Sequence, residues 1–194
     1  MPELIESIPE ARLLLMSLRS VGYTEEAAIA DIIDNSISAD ATKIDITFDW
    51  DRRRIVISDN GFGMDADSLI KNMRIGSADP GEIRPSKDLG RFGMGMKTAA
   101  FSLGKRLTVI TKTSEGFTNA TWDLDEVLQI GWQLIVQEDD ALSEFYGMLG
   151  EQGTIIIIDK LDRLVDKSDI GKSKQKFFRI LSATDSSSPS RQYE

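Results

Sequence analysis

The sequence contains neither cysteine nor histidine. Without cysteine the chain cannot form a disulfide framework or use a thiolate. Without histidine it lacks the usual general base, the commonest metal ligand and any phosphohistidine acceptor. No apolar run approaches the length of a membrane span, and the N-terminus lacks a signal-peptide pattern. We therefore expect a soluble, cytoplasmic protein.

Positive charge is also scarce, because 23 basic residues stand against 32 acidic ones and the net charge is −9. A domain this acidic has no broad basic face, so direct nucleic-acid binding by it is not expected. The length of 194 residues suits one domain. We predict that it spans residues 1–183, followed by a polar, disordered tail at 184–194.

The segment 24–39 has the periodicity of an amphipathic helix. Asp31, Asn35 and Ser38 share one stripe of that helix, and Asp34 lies beside it. The opposite face is apolar and carries Ile29, Ile32, Ile33 and Ile37. Asp and Asn are poor residues for a helix interior, so this stripe is either a solvated surface or a functional site.

The rest of the chain alternates between helical and strand-like patterns. Helices are predicted near residues 12–19, 67–75, 92–103, 141–149 and 172–181, and strands at 41–50, 54–58, 106–113, 117–122, 133–137 and 153–159. The last strand is a continuous β-branched run, which is typical of a central strand buried on both faces. Residues 76–91 form a long, irregular loop of the kind that is usually functional or disordered.

Two glycines follow an aspartate at the end of the predicted strand 54–58. Gly61 and Gly63 allow a flat ligand to approach the backbone closely. Asp59 is placed to accept a hydrogen bond from an exocyclic amine. This segment therefore predicts a binding site for the base of a nucleotide.

A second glycine cluster precedes a predicted helix. Gly90, Gly93 and Gly95 lead into its N-terminus, where free N–H groups and the helix dipole attract anions. Lys97 lies in the first turn and could reach a phosphate, although a solvated lysine is the alternative. The spacing fits neither a Walker A loop nor a Rossmann fingerprint.

Four motifs in this order resemble the GHKL ATPases (gyrase, Hsp90, histidine kinase, MutL). They are the N box Asp31-x-x-x-Asn35, the adenine box at 59–64, the glycine box at 90–97, and the late Gly153-Thr154. Within this group, IIDNSISA, IGS and GRFGMGMKTA most closely resemble the MORC and Hsp90-like branch and similar bacterial ATP-binding proteins. The resemblance implies the Bergerat fold, an α+β two-layer sandwich whose mixed, mostly antiparallel sheet carries helices on one face.

The resemblance also implies roles for individual residues. Asn35 would bind Mg²⁺, Asp59 would accept from the adenine amino group, and Thr154 would support Asp59 through water. Residues 77–92 would form a lid. The nucleotide-contacting residues would be Asn35, Asp59, Gly61, Gly63, Met64, Ser77, Gly90, Phe92, Gly93, Met94, Gly95, Met96, Lys97 and Thr154. Simple packing is the alternative for the three methionines.

The implied function is Mg²⁺-dependent ATP binding with slow hydrolysis that drives a conformational switch or ATP-dependent homodimerisation. Asp31 would orient the attacking water, but the ATPase branches usually carry glutamate there. The shorter side chain could misplace the water, and a shift of about 1 Å can cost roughly 10²-fold in rate. Two alternatives stay open: a serine- or histidine-type protein kinase acting on a partner, and an ATP sensor without turnover.

Overall fold

A computed structural model describes residues 4–5, 7–20, 22–76, 94–137, 139–163, 175, 179, 192 and 193. The helices are α1 (Ala11–Leu18), α2 (Glu25–Ser38), α3 (Ala66–Met73), α4 (Gly95–Leu103), α5 (Val127–Ile130) and α6 (Asp139–Tyr146). The strands are β1 (Ile44–Asp49), β2 (Arg54–Asp59), β3 (Gly104–Thr113), β4 (Gly116–Asp123), β5 (Gly153–Leu161) and β6 (Gln192–Tyr193).

Helix α2 forms where its periodicity predicts it. Thr24 caps its N-terminus, because the Thr24 hydroxyl oxygen accepts a hydrogen bond from the Ala27 N–H at 3.2 Å. Glu25 and Glu26 occupy the first turn, where the helix dipole favours negative charge. The apolar face is buried and comprises Ala28, Ile29, Ile32 and Ile33. Burial of this face fixes the orientation of the helix, and Asp31 and Asn35 on its other side are half-buried.

The strands form one sheet in the order β4-β3-β5-β2-β1-β6. The first five are antiparallel to their neighbours, and β6 pairs with β1 in parallel. Strand β5 lies between β3 and β2, as its β-branched run predicts. The α+β sandwich and the mixed, mostly antiparallel sheet are therefore confirmed.

The main core lies between the sheet and the helices α1 to α5. It includes alternate residues of the central strand, such as Ile156 and Ile158, packed with Ile29 and Phe101. A second apolar cluster lies on the other face, where Ile155 and Ile157 meet Leu142, Phe145 and Leu149. Helix α6 therefore partly covers the face that the sequence prediction left without a helix.

Of three other predictions, one differs from the structure and two concern residues that lie almost wholly outside the described part of the chain. Residues 133–137 do not form a strand. Among the described residues their backbone makes a single bridge, between Ile135 and Thr121 of the edge strand β4. The predicted helix 172–181 and the loop 76–91 lie almost wholly outside the described residues. Of the tail, the described residues are those of β6. No helix in the described part of the chain has both the length and the apolar character needed to cross a membrane.

Candidate functional site

Asp59 lies at the end of β2 as a buried carboxylate held in place from two sides. The Ser36 hydroxyl, which projects from α2, donates to Oδ2 at 2.7 Å. The Gly61 N–H donates to Oδ1 at 2.9 Å. A carboxylate can accept about four hydrogen bonds, so acceptor capacity is left for a ligand group. The helix and the turn after β2 thus fix the orientation of this side chain.

Burial also changes the acidity of this group. Loss of solvent raises the pKa of Asp59 above its ordinary value, and the hydrogen bonds from Ser36, Gly61 and the Thr154 backbone oppose that rise. The charged form is therefore costly to keep without partners, and a further donor would stabilise it. An amino group of a ligand is such a donor.

The polar stripe of α2 brings Asp31 and Asn35 together one turn apart. The Asn35 side-chain amide donates from Nδ2 to the Asp31 carbonyl oxygen at 2.8 Å. This contact fixes the direction of the amide and leaves Oδ1 as its free oxygen among the described residues. The Tyr23 hydroxyl donates to Asp31 Oδ2 at 2.5 Å. Tyr23 precedes the helix, so it reaches over the first two turns.

The glycines of the adenine box have structural reasons of their own. A Cβ at Gly61 would lie 2.8 Å from the Ala39 side chain and carbonyl oxygen. Gly63 has φ +68°, and a Cβ there would lie 2.2 Å from the Lys112 carbonyl oxygen. Both positions therefore require glycine for the close approach of protein backbone. Whether they also admit a base stays a prediction.

Thr111 joins three segments beneath that turn. Its fully buried hydroxyl accepts from the Met64 N–H at 2.7 Å and donates to the Gly153 carbonyl oxygen at 3.1 Å. Its Oγ1 lies 3.5 Å from the hydroxyl of Thr154, which pairs with Asp59 across β2 and β5. The structure thus brings the predicted residues Asp59, Met64 and Thr154 to one end of the sheet.

Lys97 is placed differently from a solvent-facing phosphate ligand. Its side chain is 1 % exposed, and its ammonium group donates to the carbonyl oxygen of Asn72 in α3. Burial lowers the pKa of Lys97 to about 8. To bind a phosphate the ammonium group would have to leave Asn72, so this role stays a prediction.

The glycine box is only partly visible. Ser77, Gly90, Phe92 and Gly93 lie outside the described residues, as does the rest of the predicted lid. Met94 occupies the N-cap of α4, Gly95 is its first residue, and Met96 packs against the main core. Met64 also packs against that core. The packing alternative for Met64 and Met96 is thus seen directly.

Sequence reasoning missed four residues that shape this site, namely Tyr23, Ser36, Thr111 and Asn72. Ser36 had a detectable signal, because it lies three and four residues after Ile33 and Ile32, on the buried face of α2. Tyr23 gave none, since its contact depends on how the segment before α2 folds back over the helix. Thr111 gave none, since its contacts join β3 to the turn after β2 and to β5. Asn72 contributes a backbone oxygen, which no side-chain pattern reveals.

Comparison with known proteins connects this arrangement to one family. A family model for histidine kinase-, DNA gyrase B- and HSP90-like ATPases matches residues 23–151. That range contains Asp31, Asn35, Asp59 and Lys97 and ends before Thr154. More than half of the chain is therefore covered by the family model.

Individual relatives agree with this result. The chain is 26% identical to mouse MORC family CW-type zinc finger protein 3, over 78% of this chain and 20% of that protein. It is 25% identical to human ATPase MORC2, over 84% of this chain and 20% of that protein. It is 32% identical to the chaperone protein HtpG of Campylobacter jejuni, over 60% of this chain and 18% of that protein.

The chain thus spans about one fifth of the length of these relatives. The family model covers the N box and the adenine box together, and the relatives fall in one branch. On this basis the chain belongs to the histidine kinase-, DNA gyrase B- and HSP90-like (GHKL) ATPase family, in its MORC- and Hsp90-like branch.

Proposed function

We propose that this chain binds ATP together with Mg²⁺ and hydrolyses it slowly. Membership of the family implies an adenine nucleotide site. The observation that carries the proposal is the buried Asp59 carboxylate, oriented by Ser36 and Gly61 and retaining acceptor capacity. Such a group is suited to accept from the exocyclic amine of adenine, with the Thr154 hydroxyl beside it.

The residues of α2 fit a magnesium ion bound in part by the nucleotide. Mg²⁺ prefers oxygen ligands and is usually held by one or two protein groups plus substrate phosphates. Among the described residues no group of three or more acidic side chains could hold a metal ion by itself. Asn35 offers Oδ1, since its Nδ2 is occupied by the Asp31 carbonyl. Bound there, Mg²⁺ would neutralise phosphate charge.

Asp31 is the proposed base that orients the attacking water. It lies one turn before Asn35 on the same stripe, so a water held by its carboxylate would be close to phosphates held near Asn35. General-base and positioning effects of this kind typically contribute roughly 10²- to 10⁴-fold in rate. The short aspartate side chain supports slow rather than fast turnover.

We further propose that the nucleotide state controls a conformational or dimerisation switch in a larger protein. The relatives named as MORC ATPases and HtpG are about five times longer than the matched segment. A switch of this kind would let a small domain act on segments beyond it. The cytoplasmic location predicted from composition belongs to the same proposal.

The test is an ATP titration by calorimetry with and without Mg²⁺, with phosphate release followed in parallel. We expect wild type to bind ATP more tightly with Mg²⁺ and to release phosphate slowly. Asn35→Ala should lose the Mg²⁺ effect, and Asp31→Asn should bind ATP without releasing phosphate. Equal binding with and without Mg²⁺ in wild type would contradict the metal role of Asn35.

A second candidate is an ATP sensor without turnover. It is favoured by Lys97, whose ammonium group is buried against Asn72 rather than presented to a phosphate. A site in which Lys97 does not contact the phosphates would bind nucleotide with less charge stabilisation at the γ-phosphate. Tight Mg²⁺-ATP binding with no phosphate release from wild type would support this candidate over the ATPase.

A further inference from the structure

We propose that Tyr23 is a positioning residue for the base of the proposed ATPase reaction, acting through the carboxylate of Asp31. The inference rests on the proposed function. It assigns a role to a residue that lies outside the four sequence motifs.

The geometry of the contact supports this role. The Tyr23 hydroxyl donates to Asp31 Oδ2 at 2.5 Å. A hydroxyl that donates to a carboxylate at this distance makes a short, charge-assisted hydrogen bond, which is stronger than a bond between neutral groups. Among the described residues Oδ1 of Asp31 receives no hydrogen bond. One oxygen is therefore held while the other is left for a water molecule.

Both ends of the contact are anchored. Tyr23 is half-buried and its ring packs against the main core. Asp31 is fixed through the backbone of α2, and its carbonyl oxygen also accepts from Asn35. A tyrosine side chain has two main torsions and loses little conformational entropy when its ring is packed. The hydroxyl is thus a rigid point from which to orient a short carboxylate.

The hydroxyl also stays a donor at ordinary pH. The hydrogen bond to Asp31, burial and the Asp31 charge raise the pKa of Tyr23 to about 12. Tyr23 therefore keeps its proton across the range in which an ATPase is assayed. The positioning contact should not switch off within that range.

The role of Tyr23 matters because Asp31 is shorter than the glutamate usual in the ATPase branches. A free aspartate could rotate about its side-chain torsions and move the bound water. The hydrogen bond to Tyr23 selects one orientation, which reduces the cost of placing the water for attack. Tyr23 would then affect the rate of hydrolysis and leave nucleotide binding unchanged.

The experiment compares Tyr23→Phe with wild type, with Asp31→Asn and with the control Tyr146→Phe. Tyr146 lies against the second apolar cluster on the other sheet face, stacked on Phe117. We expect Tyr23→Phe to lower kcat by roughly 10- to 100-fold, with KM and ATP affinity unchanged. Tyr146→Phe should retain the wild-type rate. A tyrosine that only stabilised the fold would change affinity and thermal stability together with kcat.

A second readout examines the contact without turnover. The chain has three tyrosines, so an alkaline absorbance titration compared between wild type and Tyr23→Phe isolates Tyr23. In Asp31→Asn the Tyr23 pKa should fall towards its ordinary value of about 10. If wild type hydrolyses ATP, Asp31→Asn does not, and Tyr23→Phe matches or exceeds the wild-type rate, the positioning role is wrong. If wild type itself releases no phosphate, the proposed ATPase function fails, and the role fails with it even where the titration shows the contact.

Discussion

Gly63 and Gly76 have nearly the same φ angle and differ in their surroundings. Their φ angles are +68° and +70°, but a Cβ would lie 2.2 Å from the Lys112 carbonyl oxygen at Gly63 and would meet nothing within 4 Å at Gly76. An alanine in the left-handed region costs about 1–2 kcal/mol. At Gly63 the steric overlap with backbone adds to that cost.

We therefore predict that Gly63→Ala lowers the free energy of unfolding by at least about 2 kcal/mol more than Gly76→Ala. Urea unfolding of the two variants and wild type measures this difference. Equal losses would mean that the turn after β2 can shift away from Lys112 at little cost. The reason for glycine there would then lie in ligand approach alone.

Lys97 is a charged side chain that the fold buries almost completely. Since its folded pKa is about 8, below the ordinary 10.5, the folded protein binds fewer protons than the unfolded chain between these values. The free energy of unfolding should therefore rise as pH increases from about 8 to 10.5. Below that window both states are protonated, and the cost of burial is present in full.

Lys97→Met should remove this cost and raise stability at pH 7 by up to about 3 kcal/mol, with no Lys97-dependent rise between pH 8 and 10.5. The exposed Lys71→Met serves as the matched control and should change little. Unfolding curves at several pH values test both. If Lys97 binds phosphate as the sequence predicts, Lys97→Met also weakens ATP binding. A loss of stability at pH 7 would show instead that the bond to Asn72 outweighs burial.

At the scale of elements, the Thr111 hydroxyl links β3 to the turn after β2 and to the start of β5. Removing it leaves the Met64 N–H and the Gly153 carbonyl without this partner. An unsatisfied buried polar group costs about 1–3 kcal/mol. Asp59 ends β2 and Thr154 lies at the start of β5, so loss of this link should also make the nucleotide site less rigid.

We predict that Thr111→Val destabilises the fold by about 1–3 kcal/mol and weakens ATP binding, whereas Thr111→Ser keeps most of both. Valine preserves the shape and serine preserves the hydroxyl, so the pair separates packing from hydrogen bonding. Thermal unfolding and ATP calorimetry measure the two effects. If both variants behaved alike, the hydroxyl would not be the linking group.

Elements with a strong local pattern could be predicted from the sequence. Helix α2 and strand β5 form where the spacing of their isoleucines predicts a helix and a buried strand, because the spacing of buried side chains is a property of the sequence itself. Residues 133–137 carry a short apolar run that predicts a strand, but they form only one bridge, since the structure gives them an edge neighbour and no further partner among the described strands. A local sequence pattern cannot report on that neighbour.

The residues of the candidate site also fall into two groups, those that a local motif predicts and those that only the fold brings to the site. Asp31, Asn35 and Asp59 were visible because motifs keep them at fixed spacing. Tyr23 and Thr111 were not, because their contacts depend on how the chain folds around them and not on a local motif. Lys97 was expected at a ligand, yet the structure buries it against a backbone carbonyl of α3. The sequence could indicate which side chains are candidates for the site, but it could not indicate which partners the fold gives them.

For the whole molecule, the central claim is that an adenine nucleotide binds at the end of β2, next to α2. The chain carries a net charge of −9, so attraction of a polyanion by overall charge is excluded as a cause of binding. Specific recognition must come from the site itself. Asp59 is the group on which that recognition depends most.

The most direct measurement is a calorimetric titration of ATP into wild type, Asp59→Asn and the exposed control Asp51→Asn. We predict that Asp59→Asn weakens binding by roughly 100-fold, because an amide replaces a charged acceptor with a group that has one acceptor oxygen. Asp51→Asn should bind like wild type, and circular dichroism should show all three folded. Unchanged affinity in a folded Asp59→Asn protein would contradict the account.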